Sequence, residues 1–186
     1  MVMKNKKQDI FQFTGVLLIL VLLNFIASVK HMRIDLSKEG RYSLSESTKN
    51  MLAKLDDYIY VEVYLEGDFP AGIERLSMET RQILAEFKNQ NNLLQYTFIN
   101  PTESTDETTR NEIIKQLYDK GLSPTNLQVK EGDSYTEKVI IPGAIVKLGG
   151  KEVVVQLLKN QIAAGPEQSL EQSIRELEYE FAYAIK

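Results

Sequence analysis

The hydrophobic pattern along the chain falls into two regimes. Residues 10–29, IFQFTGVLLILVLLNFIASV, run without a charge. A helix of twenty residues, rising about 1.5 Å each, crosses the roughly 30 Å hydrocarbon core of a bilayer. The pattern predicts a basic tail over 1–9, a transmembrane helix over 10–30 and a connector over 31–44. Beyond it, short apolar stretches alternate with polar ones, as in a folded domain.

Within that domain the period switches repeatedly. Ser45 is placed as an N-cap, and SESTKNMLAKLDD reads as a helix with Met51, Leu52 and Leu55 on its apolar face. YIYVEVYL alternates and is rich in β-branched and aromatic residues, which predicts a strand over 58–65. Ile73, Leu76, Ile83, Leu84 and Phe87 then recur at helical spacing, giving a helix over 72–89. LLQYTFIN is a second strand, closed by Pro101. A helix over 106–119 carries Ile113, Ile114 and Leu117, with Gly121 where a C′ glycine belongs. NLQVKE, KVIIPGAIVKLG and KEVVVQLL read as strands, and Gly149-Gly150 predicts a tight hairpin pairing 139–148 with 151–158. Pro166 suits N1 of a last helix, 164–186, with Leu170, Ile174, Leu177 and Phe181 on one stripe. Helices elsewhere are expected to cover both sheet faces. That stripe is therefore expected to stay exposed as a partner surface.

Charge sharpens the topology. The first 33 residues hold five Lys or Arg against one Asp, so the rest carries −8 of the overall −4. Lys4, Lys6 and Lys7 favour a cytoplasmic N-terminus, although Lys30 and Arg33 weaken the bias. A cleaved signal is the rival reading, but its apolar region runs about 7–15 residues. The acidic domain is a poor partner for nucleic acid, which needs clustered Lys and Arg. No Cys and a single His exclude thiol chemistry and leave little for a transition metal.

Candidate chemistry is sparse. Asp56-Asp57 and the Glu66-Gly67-Asp68 corner read as turns, because no Ca²⁺-loop spacing follows. Ser45 and Ser47 have no neighbouring His to activate them and read as caps. His31, beside Lys30 and Arg33, suits a lipid headgroup contact. Asn24 lies inside the apolar run, where an amide either hydrogen-bonds a second membrane helix or is simply tolerated. No catalytic, cofactor or metal residues are assigned.

Element order sets the fold class as α/β. The first strand–helix–strand should be a right-handed parallel crossover. A parallel pair joined to an antiparallel hairpin resembles the thioredoxin fold over 45–163. Its cis proline would correspond to Pro142 in VIIPGAIVKL; an ordinary trans proline there is the alternative. The redox motif has no counterpart, since the first long helix of the domain begins GDFPAGIERL.

Several phrases are similar to the gliding-motility ABC transporter auxiliary proteins of the GldG type. They are Arg33 to Ser37, Arg41 to Ser45, Leu55 to Asp57, Val63 to Gly67, Phe98 to Pro101 and Leu177 to Glu180. The resemblance implies a non-catalytic accessory subunit in Bacteroidota-like bacteria. It would be a single-pass protein of the inner membrane with its main domain in the periplasm. Its implied partners are an ABC permease and, through it, a cytoplasmic ATPase. Family members continue into a larger α/β domain, so the chain is expected to be the N-terminal portion of a longer protein. The alternative function is an anchored periplasmic module that binds a peptide, glycan or envelope protein without a transporter. An enzyme is the least favoured class, because no nucleophile–base pair or metal cluster is visible.

Overall fold

A computed structural model describes residues 13–19, 43–131, 134–159 and 165–186. The chain divides into two units, Met1–Arg41 and Tyr42–Lys186. In the first unit, residues 13–19 are helical and exposed. Among the described residues no helix is long and apolar enough to cross a membrane. The rest of the 10–30 span lies outside the described residues, as do the 1–9 tail, Asn24, His31 and nearly all of the connector.

The second unit runs α1 (Glu46–Leu52), β1 (Ile59–Val63), α2 (Ala71–Gln90), β2 (Leu94–Phe98), α3 (Glu107–Asp119), β3 (Thr125–Glu131), β4 (Ser134–Ile140), β5 (Gly143–Leu148), β6 (Lys151–Gln156) and α4 (Pro166–Ile185). One sheet has the order β2-β1-β5-β6, and β3-β4 form a separate two-stranded sheet. β1 is parallel to β2 and antiparallel to β5. The β5–β6 hairpin turns at Gly149-Gly150, both with positive φ, as the sequence predicts.

The predicted strand over 139–148 is instead two strands in two sheets. Pro142 has no N–H to give a ladder, so pairing breaks there. The Gly143 N–H donates to the Ile141 carbonyl at 2.8 Å, closing a γ-turn around Pro142. The peptide bond is trans, which corrects the cis reading of Pro142.

The pleat of β1 sorts its side chains. Ile59, Val61 and Val63 are fully buried in the main core with Leu76, Leu84 and Phe87 of α2 and Leu177 and Phe181 of α4. The Phe87 and Phe181 rings meet edge to face, 6.5 Å between centroids. On the opposite side, Tyr64 and Ile145 join Leu117 of α3 and Leu122 in a smaller core. α3 ends in a Schellman motif: Leu122 N–H donates to the Leu117 carbonyl at 3.0 Å, across Gly121 at φ 104°. Leu122 then lies on Gly143, where an added Cβ would stand 2.2 Å from its Cδ2.

The expectation of an exposed C-terminal stripe is overturned. Leu177 and Phe181 are 1% and 0% exposed, and Leu170 and Ile174 pack against the same core. The reason is width. Four strands about 4.8 Å apart make a sheet broader than one helix of about 10 Å can cover. α1 has only seven residues and α3 sits on the smaller core, so α2 needs α4 beside it. α4 belongs with the elements before it to the Tyr42–Lys186 unit.

Candidate functional site

A concavity lies where α2 and α4 begin. It is an open groove of about 960 Å³ lined by the first turns of both helices, the start of β3, and Leu158. Neither helix has a side-chain cap: Pro70 and Gly165 hold the N-cap positions. The first bonds within the helices are Glu74 N–H to the Pro70 carbonyl and Ser169 N–H to the Gly165 carbonyl, each 3.0 Å. The earlier N–H groups of Ala71, Gly72, Ile73 and Glu167 carry no helical bond, and all four residues line the groove. Gly72 lets the two helices approach; a Cβ there would stand 3.0 Å from Leu170 Cδ2. Arg75 and Glu171 form an ion pair across the rim. Ile73, Leu127, Leu158 and Leu170 give the groove an apolar lining.

A second cluster fastens α1. Glu178 Oε1 accepts from Ser45 N–H at 2.9 Å and from Thr48 Oγ1 at 2.6 Å. Burial pushes the Glu178 carboxyl up, but these bonds outweigh it and hold the group below the ordinary glutamate value. Ser45 itself caps Thr48 N–H at 3.3 Å, the role its sequence position predicts. At the other end of α1, Asn91 Nδ2 donates to the Leu52 carbonyl at 2.8 Å. The predicted helix therefore stops at Leu52, short of Asp57. Further along α4, Lys159 donates to Glu176 and to Glu180, the latter at 2.6 Å, and these bonds raise the lysine above its usual value.

A third cluster lies at the carboxyl ends of β1 and β2. Arg81 pairs with Glu66 at 2.6 Å and its guanidinium stacks over Phe98, 3.8 Å from the ring centre. Asn100 Oδ1 accepts from Thr102 N–H at 3.0 Å, and Asn100 lies against Gly67. The phrases singled out in the sequence thus meet in pairs: Ser45 with Glu178, and Gly67 with Asn100.

Of the remaining sequence candidates, Asp57 and Asp68 make structural contacts. Asp57 Oδ1 accepts from Tyr58 N–H at 2.7 Å, and the Asp68 carbonyl accepts from Lys138. Among the described residues no group of three or more His, Cys, Asp or Glu could hold a metal. Sequence reasoning missed Ser169, Arg75 and the β3 side of the groove, and it marked Glu178 only within a phrase, without its role. The available signal was the pair Ser169 and Ser173, which sit four apart on the buried side of an otherwise apolar helix face.

No curated protein and no solved structure matches this chain. Residues 38–147 match the family model described as Domain of unknown function (DUF7088). The match takes in α1 to β5, more than half of the chain. The chain belongs to the DUF7088 family.

Proposed function

We propose that this protein is a membrane-anchored, extracytoplasmic accessory subunit of an ABC transporter of the gliding-motility type, and that it works by binding rather than by catalysis. The observation that carries the reading is the meeting of separated phrases. Arg41 to Ser45 meets Leu177 to Glu180 through the Ser45–Glu178 bond, and Val63 to Gly67 meets Phe98 to Pro101. The resemblance therefore covers contacts that fasten the domain, not isolated strings. The strand order β2-β1-β5-β6, with one parallel pair and a terminal hairpin, supports a thioredoxin-like reading in which β3–β4 is an insertion. The uncharged run 10–29 supports the anchor.

The test is purification of the full chain from its native membranes in mild detergent. Near-stoichiometric recovery of a multi-spanning permease and an ATPase is the expected result. Recovery without them contradicts the transporter assignment. A topology arm uses Thr105→Cys, an exposed position before α3. It should react with an impermeant thiol reagent in intact spheroplasts; labelling only after lysis inverts the orientation.

A second reading, an anchored module for a peptide, glycan or envelope protein without a transporter, is favoured by the open groove at the ends of α2 and α4.

A further inference from the structure

We propose that the β3–β4 hairpin is a hinged wall of the groove, and that Lys138 is the latch that holds it closed against the loop before α2. The device stands apart from both readings of function, and its test needs no ligand.

The attachment of the hairpin is narrow. Among the described residues β3 and β4 pair only with each other, so no ladder joins them to the four-stranded sheet. Pro142 cannot donate, and the γ-turn around it separates β4 from β5. Both ends of the hairpin leave the main sheet at one place, because Leu122, before β3, lies on Gly143, after β4. At the base Ile140 is 3% exposed in the main core and pairs with Thr125. That base is the pivot. A two-stranded hairpin is marginally stable by itself, so beyond the pivot its position depends on what it touches.

The latch stands next along the strands. Lys138 lies directly opposite Leu127, so both side chains leave the same side of the hairpin. Leu127 packs against the main core and lines the groove. The Lys138 ammonium donates to the Asp68 carbonyl and lies 5.7 Å from the centre of the Phe69 ring. Phe69 leads directly into Pro70, the N-cap of α2, where the facing wall of the groove begins. One cation thus ties the strand wall to the helix wall. Its neighbours on β4, Glu137 and Val139, are exposed on the other side of the hairpin.

The strength of the latch suits a reversible device. Its acceptor is a backbone carbonyl and its ring is uncharged, so no full opposite charge holds Lys138. Release returns the ammonium and the carbonyl to water, and loses only a charge-assisted hydrogen bond and a surface cation–π contact. A swing about the base carries Leu127 outwards. It widens the groove and uncovers Leu158 and Leu170 on the remaining walls.

The test uses the full chain in mild detergent and two readouts. Amide hydrogen exchange of Thr125–Gln128 and Thr136–Ile140 reports release of the hairpin. The chain has no cysteine, so Leu170→Cys gives a single thiol, on the α4 wall, whose labelling rate reports the width of the groove. Lys138→Met should raise both rates about tenfold, the effect of losing a hydrogen bond from a charged group. Lys138→Arg should restore both, since a guanidinium keeps the donor and the cation–π contact. Amides of β1 should exchange alike in all three proteins. Unchanged rates in Lys138→Met overturn the latch. Faster exchange without faster labelling overturns the movable wall, because Lys138 then only steadies the hairpin. An equal rise in β1 overturns both, because the residue then supports the whole fold.

Discussion

The two faces of the four-stranded sheet are built unequally. On one, α2 and α4 lie side by side over Ile59, Val61 and Val63, and large side chains such as Phe87 and Phe181 are fully buried. On the other, the core includes Tyr64, Leu117, Leu122, Ile141 and Ile145, and beyond it Tyr60 remains 41% exposed. That second face carries a polar chain. Glu62 accepts from Tyr64 at 2.8 Å and from Lys147 at 2.6 Å, and Glu152 pairs with Lys120 at 2.9 Å. Burial raises the Glu62 carboxyl, but its bonds to Lys147 and Tyr64 outweigh this and keep it below the ordinary value. Burial and the same carboxylate push the Tyr64 hydroxyl well above the usual tyrosine range. The lesson is a division of labour. The thick face sets stability and fixes the two helix starts that frame the groove, while the thin face adds a lighter cover.

The largest effects should fall on the thick face. Phe181→Ala should cost about 3–5 kcal/mol in urea unfolding, the range for a buried aromatic. Leu177→Asp should abolish the cooperative transition, because it buries an unpaired carboxylate. A nearly unchanged melting temperature for Leu177→Asp would return α4 to the surface and end the comparison. On the thin face, Leu117→Ala should cost about 2 kcal/mol, the lower end for a buried leucine. A loss matching that of Phe181→Ala would make the faces equal.

Glu178→Gln sharpens the role of α4 as a fastener of α1. It should cost about 1.5 kcal/mol at neutral pH, as for a hydrogen bond to a charged group. The folded carboxyl titrates below its unfolded value. Its stabilisation is therefore complete above the unfolded value and is lost as pH falls through the folded one. Denaturation midpoints of the wild type and the variant should differ at pH 7 and converge in the acid range. A gap that is constant with pH would assign the loss to packing. The smallest effect belongs to Gly121→Ala, about 1 kcal/mol, from forcing a Cβ into the left-handed turn that seats Leu122.

What the sequence revealed was local. Ser45, Gly121, Gly149-Gly150 and Pro166 each act within a few residues of their own position, and each stands where its chemistry predicts. The alternation in 58–65 and the apolar run in 93–100 were enough to place the parallel pair. What was not legible required a partner far along the chain. The stripe on α4 announces an apolar face but not what it meets, so its burial beside α2 had to come from the width of the sheet. Pro142 marked a break without revealing that β4 leaves for a second sheet. The groove depends on residues from 70 to 171, and no local pattern joins Gly72 to Leu170.

Native-state hydrogen exchange followed by mass spectrometry tests the unequal faces most directly. Amides in β1, in α2 and in the Leu177–Ile185 part of α4 should open only with global unfolding. Amides of α3 should exchange earlier, at a lower free energy. Exchange of α4 as fast as a frayed terminus, or protection of α3 equal to that of β1, would contradict the account.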